Sequence, residues 1–204
     1  MNPDKMIELL TDLVPEEGVI SDVIEKVNLF RITKSTPRTP INYEPSIIIL
    51  AQGQKRVFIG EEVIMYNPLN YLVLSVPMPL ECETTASVEK PMLGFTVKVS
   101  AATVGELLLA IDDTHHNLKS LPKGIYSAPL DDHLIDASVR LLEALSSPRD
   151  KRFLGPAIVR EIIYRVLCGE KGDALRALAF RNQRFFQIAR VLDRIHESYG
   201  QKME

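Results

Sequence analysis

The segment RTPINYEPSIIILAQGQKRVFIGEEVIMYNPLNYLVLS, residues 38–75, decides how this chain folds. It contains two long apolar runs joined at residues 59–61, and a third run follows the Pro/Asn turn at residues 67–70. Residues 47–50 are all apolar, which indicates a strand that is buried on both faces. Gly53 interrupts that strand and indicates a bulge or a sharp bend, which a curved sheet requires. The segment therefore predicts the front half of a small antiparallel β-barrel, a fold that can enclose a pocket.

The hydrophobic period changes along the chain from that of strands to that of helices. Residues 80–85 alternate between apolar and polar side chains, as do residues 93–99, and each predicts a strand with one wet face. From Ser100, a good N-cap, the period becomes 3.6. Helices are predicted at residues 3–13, 100–111, 131–145 (closed by Pro148), 156–168 and 174–199. We expect an arm and β-barrel at residues 1–100 and a helical subdomain at residues 101–204.

Composition places the chain among ordinary globular proteins. Hydrophobic residues make up 46% and charged residues 25% of the sequence, which argues against disorder. No apolar run is long enough for a membrane span, and the acidic residues near the start are unlike a signal peptide. The two cysteines, Cys82 and Cys168, are far apart, which indicates reduced thiols and a cytoplasmic location.

Charge is distributed unevenly along the chain. Residues 1–148 hold 12 Lys/Arg against 20 Asp/Glu, whereas residues 149–204 hold 12 against 7. A chain that becomes basic towards its end is a candidate for contact with nucleic acid there. The alternative is a solvated basic helix face, and the modest excess of charge favours that alternative when it is taken alone.

Motifs within and after the barrel segment resemble the N-terminal domain of AraC-type transcription regulators. The matching motifs, in chain order, are RTP (38–40), YEPSI (43–47), AQGQKRV (51–57), YLVLSVPMPLE (71–81), PLDDHLIDASVRLLEAL (129–145) and VREIIYRVLCGEKG (159–172). The resemblance continues through the basic run at residues 181–195 and so spans nearly the whole chain. It implies an α+β fold, in which a cupin-like antiparallel jelly-roll barrel is followed by a helical subdomain.

The resemblance also implies partners. In that family the barrel senses a small molecule or pairs protomers, the helices after it dimerise, and two helix-turn-helix units bind DNA. We therefore expect an unknown small-molecule effector, a homodimer through residues 157–168 or 174–199, and promoter DNA as a partner. The side chains that would contact DNA phosphates are Arg181, Arg184, Arg190 and Arg194.

The sequence ends at Glu204, near what resembles the first helix of the DNA-binding region. We therefore expect the sensing part of a longer regulator. The alternative is a natural regulator without a recognition helix, which blocks full-length partners by heterodimerisation.

A metal-free cupin-type enzyme is a further alternative function, and it requires chemistry inside the barrel. No histidine lies between residues 38 and 99, and the acidic and histidine run at residues 112–116 is typical of a solvated helix end rather than a metal site. Ser75 lacks the flanking glycines of a nucleophile elbow, and Cys82 is expected to be a small buried apolar residue. The acidic pair at residues 61–62 is expected to be wet at a hairpin tip. We therefore expect no enzyme activity, no metal and no cofactor.

A sensing pocket inside the barrel is the remaining expectation. Its lining should be mostly apolar, with a few hydroxyl groups that orient a ligand. The predicted lining residues are Tyr43, Ser46, Ile48, Tyr71, Val73 and Phe95. The alternative is that these side chains simply fill a small barrel, which leaves no room for a ligand.

Overall fold

A computed structural model describes residues 3–68, 70–111 and 123–179 of the 204-residue chain. The helices are α1 (Pro3–Leu13), α2 (Ala101–Ala110), α3 (Asp132–Leu145), α4 (Pro148–Phe153) and α5 (Gly155–Cys168). The strands are β1 (Gly18–Ile24), β2 (Val27–Ile32), β3 (Thr36–Tyr43), β4 (Ser46–Gln52), β5 (Gln54–Ile59), β6 (Glu62–Tyr66), β7 (Asn70–Leu74), β8 (Met78–Thr85), β9 (Met92–Lys98) and β10 (Ile125–Pro129). Residues 173–179 are also helical.

The strands form two antiparallel sheets that face each other. The six-stranded sheet has the order β1-β2-β9-β4-β7-β10, and the four-stranded sheet has the order β3-β8-β5-β6. Many neighbours in these sheets are far apart in the chain, as they are in a jelly roll. The predicted α+β fold, a cupin-like antiparallel jelly roll followed by helices, is confirmed. Within the described strands the two sheets remain separate ladders and do not close into one continuous barrel.

Strand β4 shows how the six-stranded sheet is buried on both faces. Ile47 and Ile49 belong to the core between this sheet and the helices. Ile48 and Leu50 belong to a second core between the two sheets. All four side chains are at most 2% exposed, because successive residues of a strand point to opposite faces and each face is covered. The prediction from the unbroken apolar run is therefore confirmed.

Gly53 is the point at which the chain crosses from one sheet to the other. It lies between β4 and β5 and has a φ of +90°, a conformation that side chains with a Cβ rarely adopt. A Cβ at this position would lie 2.8 Å from Met92. The predicted bend at this glycine is confirmed, and it is required both by the backbone conformation and by the close approach of β9.

The four-stranded sheet has one wet face. On β8, Leu80 and Cys82 point inward and are buried, whereas Glu81 and Glu83 point outward. Ion pairs tie Glu81 to Arg38 and Glu83 to Arg56, the latter over 2.9 Å. Cys82 is thus a small buried residue, as its alternating strand predicted.

The helices cover the outer face of the six-stranded sheet. Buried side chains from α1, α2, α3 and α5 share one core with this sheet. Ser100 caps α2 by accepting a hydrogen bond from the Thr103 N–H over 3.2 Å, as the sequence predicted. Pro148 does not simply close α3: it begins α4, because proline fits the first turn of a helix.

The sequence patterns did not predict three of the strands. One predicted helix lies largely outside the described residues. The unpredicted strands are β1, β3 and β10, whereas β2 corresponds to the short strand that the sequence predicts at residues 27–33. The division near Ser100 stays a prediction, and β10 follows that point yet pairs with β7 of the six-stranded sheet. The predicted helix at residues 174–199 extends beyond the described part of the chain. Among the described residues, every helix is too short or too polar to cross a membrane.

Candidate ligand-binding cavity

A cavity of about 620 Å³ lies between the two sheets. This volume is in the range of pockets that hold a small organic molecule. Side chains of both sheets and of the β3–β4 connection line it: Val19, Asn28, Phe30, Ile32, Ile41, Asn42, Tyr43, Glu44, Ser46, Ile48, Lys55, Tyr66, Pro77, Met92, Thr96 and Lys98. Nine of these residues are apolar or aromatic and seven are polar or charged, so the cavity has apolar walls together with hydrogen-bonding groups.

The polar groups converge around the hydroxyl of Tyr43. The Lys55 ammonium donates a hydrogen bond to this oxygen over 2.6 Å, and the Cys82 thiol lies 3.7 Å from it. Tyr66 opposes Lys55 directly in the β5–β6 ladder and is buried beside this group.

Burial dominates the protonation of this cluster. It raises the pKa of the Tyr43 and Tyr66 hydroxyls far above the ordinary value for a phenol. It also raises the pKa of the Cys82 thiol, although Lys55 and the hydrogen bond to Tyr43 oppose that effect. For Lys55, burial lowers the pKa because the charged ammonium loses its water. The cluster therefore consists of protonated phenols and a protonated thiol around an amine whose charge is disfavoured.

The other charged groups of the cavity are already paired. The Lys98 ammonium lies 3.3 Å from the Glu44 carboxylate, and both side chains are well exposed to solvent. The Ser46 hydroxyl donates to the backbone carbonyl of Glu44 over 2.9 Å. Lys98 and Glu44 form a wet rim, Ser46 is buried, and Lys55 has no carboxylate at ion-pair distance within the described ranges.

The structure brings together three of the six residues that the sequence predicted to line a pocket. Tyr43, Ser46 and Ile48 line the cavity. The remaining three, which are Tyr71, Val73 and Phe95, lie on the other face of the six-stranded sheet, in the core with the helices. A role in ligand binding stays a prediction for all six.

Strand register explains why the second group faces away from the cavity. Ile48 pairs with Leu72 on one side and with Thr96 on the other, so these residues share its face. The neighbours Tyr71 and Phe95 are paired with Ile49 and point with it towards the helices.

Thirteen of the sixteen lining residues were not predicted, and Lys55 and Tyr66 are the two among them that belong to the polar cluster at Tyr43. A signal for Lys55 existed, because Val57 on the same strand is apolar and positions two apart share a face. If Val57 points into the protein, Lys55 does so as well. The register of β5 with β6 then fixes Tyr66 opposite Lys55, and that pairing is not readable from either strand alone.

The other predicted site residues lie outside the described part of the chain, and the described residues show no metal-binding arrangement. The predicted phosphate contacts Arg181, Arg184, Arg190 and Arg194 fall beyond residue 179, as does His196. The histidines at residues 115–116 fall in the undescribed stretch between residues 111 and 123. Across the described residues, no three His, Cys, Asp or Glu side chains come together in a way that would hold a metal ion.

A second cavity, of about 450 Å³, lies among α3, α4 and α5. Its central cation is Arg140, which lies 2.8 Å from the Glu161 carboxylate. Glu161 also accepts hydrogen bonds from Arg165 over 2.6 and 2.8 Å. This cavity therefore contains an ion-pair network whose charges satisfy each other, in contrast to the cavity between the sheets.

Two facing antiparallel sheets, a cavity between them and helices on the outer face define a jelly-roll domain with a helical extension. The profile of the AraC-type transcriptional regulator N-terminus matches residues 23–174, about three quarters of the sequence. The chain belongs to this family. Among curated proteins, none matches this chain.

Three solved structures of ToxT from Vibrio cholerae are similar to the chain at low identity. A ToxT structure in a P21 crystal form is 14% identical, with a TM-score of 0.47, and covers 69% of this chain and 55% of that one. A variant of apo ToxT is 12% identical, with a TM-score of 0.44 and the same coverage. Wild-type ToxT with bound unsaturated fatty acid is 12% identical, with a TM-score of 0.42, and covers 74% of this chain and 56% of that one. The chain therefore spans a little over half the length of these ToxT structures.

Proposed function

We propose that this chain is the effector-sensing and dimerisation part of an AraC-type transcription regulator. The cavity between the two sheets carries the proposal, because a domain whose sheets only packed against each other would need no such space. Membership of the family supplies the context of transcription regulation. Binding of a small molecule in the cavity would shift the population of domain arrangements that present the DNA-binding part of the whole regulator.

A binding role fits the chemistry of the cavity better than catalysis does. The pKa values of Tyr43, Tyr66 and Cys82 are raised by burial, which keeps all three groups protonated and weakly nucleophilic. A sensor needs such groups as fixed hydrogen-bond partners rather than as reactants. We therefore propose that the ligand leaves this domain chemically unchanged.

For dimerisation we propose the outer face of α5. Its apolar stripe of Ile158, Ile162 and Val166 is buried in the core of its own chain. The opposite face carries Tyr164, which is 41% exposed, and Cys168, which is an exposed free cysteine. A two-fold contact between copies of this face would cover Tyr164 and bring the two thiols near one axis.

DNA binding belongs to the whole regulator. We propose that Arg181, Arg184, Arg190 and Arg194 contact phosphates there, which would position the protein without specifying a sequence. We place the regulator in the cytoplasm together with its promoter, and the free thiols of Cys82 and Cys168 are compatible with a reducing compartment.

The proposed sensing role is tested by native mass spectrometry of the purified domain and by promoter gel shifts with the full-length regulator. We expect a small molecule to be retained at one per chain, to be recovered unchanged, and to alter the affinity of the regulator for its promoter. A full-length protein that shows no sequence-specific shift would contradict the regulator role. Conversion of the bound molecule would contradict a pure binding role.

The dimer is tested by light scattering on wild type and on Tyr164→Arg. We expect wild type to have the mass of two chains and Tyr164→Arg to dissociate, because a charge buried at an interface without a partner is costly. The matched control is Val88→Arg, which adds the same charge at a residue that is 70% exposed in the β8–β9 turn. Wild type that stays monomeric at high concentration, or equal dissociation of both variants, would rule out this interface.

A further inference from the structure

We infer that the ligand of the cavity between the sheets is an organic anion with an apolar body, and that Lys55 holds its charged group. This inference rests on the proposed sensing function and adds the chemical class of the effector. Four features of the cavity carry it: an ammonium without an acidic partner, a second polar group beside it, apolar walls, and a volume larger than a small ion requires.

Lys55 differs from the lysines that the structure shows in ion pairs. Lys98 pairs with Glu44 over 3.3 Å, and Lys123 pairs with Glu62 over 2.8 Å. For Lys55, in the part of the chain that the structure describes, the polar partner at hydrogen-bond distance is the neutral hydroxyl of Tyr43. An ammonium that is withdrawn from water without an anion nearby is costly, and a bound carboxylate or sulfonate would offset that cost.

The surroundings of Lys55 favour an acceptor over a donor as its ligand. An ammonium has three N–H donors and no acceptor, and the hydrogen bond to Tyr43 uses one of them. The Tyr43 hydroxyl is hydrogen-bonded to that of Tyr66, so the donors left for a ligand are mainly the remaining N–H groups of Lys55. A ligand that ends in an amine or an ammonium would meet further donors here, whereas an anionic group would accept from them.

The apolar walls of the cavity indicate that the ligand has an apolar body in addition to its charged group. Phe30, Ile48 and Met92 line the cavity and are at most 9% exposed. An inorganic anion would occupy a small part of the 620 Å³ and leave these walls without contact. A molecule with an apolar body would cover them and gain free energy in proportion to the apolar area removed from water.

A pair of fluorescent probes separates charge from apolar shape. Anilinonaphthalene sulfonate has an aromatic body and an anionic group, and phenylnaphthylamine has the same ring system without the sulfonate. We expect the folded wild-type domain to bind the sulfonate probe about tenfold more tightly than the neutral probe, which is the gain from one charge-assisted contact. Equal affinity for the two probes would overturn the inference, and this comparison needs no variant.

Substitutions then assign the effect to one residue. We expect Lys55→Met to lose about tenfold in affinity for the sulfonate probe while its affinity for the neutral probe changes by less than about twofold. Lys55→Arg should retain most of the sulfonate affinity, because it keeps the positive charge. The matched control is Lys123→Met, which removes an exposed lysine outside the cavity and should leave both affinities unchanged.

The outcomes distinguish the two proposals. If neither probe binds the folded wild-type domain, the sensing function fails and the anion inference fails with it. If the neutral probe binds and the sulfonate adds nothing, the sensing cavity stands and the anion inference alone is wrong. Equal loss of sulfonate affinity in Lys55→Met and Lys123→Met would show that general surface charge, not Lys55, attracts the probe.

Discussion

The Lys55 ammonium reaches the Tyr43 hydroxyl over 2.6 Å across an intervening strand. Lys55 lies on β5 and Tyr43 on β3, and β8 runs between them in the four-stranded sheet. Cys82 of β8 lies beneath this contact, with its sulfur 3.7 Å from the same hydroxyl. Among the described residues, the partners of Lys55 across these three strands are neutral, so its charge is held at a cost to the folded state.

Lys55→Met should stabilise the empty domain. Methionine keeps the length of the side chain and removes the partly buried charge, so we expect the free energy of unfolding at neutral pH to rise by about 1 kcal/mol. Urea denaturation measures this change. In the control Lys123→Met the lysine is exposed and paired with Glu62, and we expect a change below about 0.5 kcal/mol.

The advantage of Lys55→Met should also depend on pH. Because burial lowers the pKa of Lys55 in the folded state, the unfolded chain holds more protons between the folded pKa and the ordinary value of about 10.4. The penalty in wild type is fully present below the folded pKa and disappears as pH rises above the unfolded pKa. A difference between the two proteins that grows with alkaline pH would contradict this assignment.

Ionisation of the buried tyrosines should unfold the domain at alkaline pH. Burial raises the pKa of Tyr43, Tyr66 and Tyr126 far above the ordinary value, and that of Tyr71 to about 12. Above about pH 10 the unfolded chain loses these phenolic protons first, so stability falls as pH rises. We expect tyrosinate absorbance to increase together with the loss of circular dichroism. Reversible ionisation of all four tyrosines near pH 10 in a folded protein would show that these side chains are not buried.

Gly53→Ala should destabilise the fold strongly. The substitution places a Cβ at a φ of +90° and within 2.8 Å of Met92, so strain and overpacking together should cost about 3 kcal/mol. Gly60→Ala is the matched control: Gly60 has a φ of +60° and open space around it, and should cost about 1 kcal/mol. Thermal or urea unfolding ranks the two variants. Equal costs would mean that the approach of Met92 is unimportant.

Glu161→Gln should weaken the junction between α3 and α5. Burial alone would raise the pKa of Glu161, but hydrogen bonds from Arg140 and Arg165 outweigh it, and the pKa is lowered. We expect a loss of about 1 kcal/mol at neutral pH, because the side chain is partly exposed. Asp136→Asn is the control, since Asp136 makes a more exposed pair with Arg140 and should cost about 0.3 kcal/mol.

Acid should remove the difference between wild type and Glu161→Gln. The contribution of Glu161 is present above its unfolded pKa of about 4.3 and is lost as pH falls through the lower folded pKa. Urea midpoints measured from neutral to acid pH follow this loss. A constant difference over that range would assign the effect to packing rather than to the charge.

Much of the fold could be predicted from the sequence, because the local patterns agree with the tertiary structure. The unbroken apolar run at residues 47–50, the bend at Gly53 and the cap at Ser100 each have a local physical cause. The prolines at residues 37 and 40 predict an extended arm instead of strand β3, because a central strand rejects proline. Strand β3 lies at an edge of the four-stranded sheet, where a missing N–H is tolerated. Strand β1 was missed because its ladder is irregular around Asp22, which has a positive φ of 49°.

Only three of the six predicted lining residues line the cavity, and the reason is different. Where both faces of a sheet are buried, hydropathy does not tell which face a residue occupies. Tyr71 and Phe95 were therefore as plausible as Leu72 and Thr96, and only the pairing with Ile48 and Ile49 decides between them. The inward position of Lys55 could be predicted from its strand, but the lack of a nearby acid among the residues that the structure describes depends on the packing of other strands.

Strand β4 has a mechanical consequence for the domain. Ile48 touches the cavity, and its covalent neighbours Ile47 and Ile49 are embedded among the helices. Ladders with β7 and β9 hold the strand on both sides, so it has little freedom to twist about its own axis. Because these ladders restrain the strand, an occupant that shifts the backbone at Ile48 would also shift its neighbours Ile47 and Ile49. If the cavity binds an effector as proposed, its contact with the helices would pass through the thickness of this one strand.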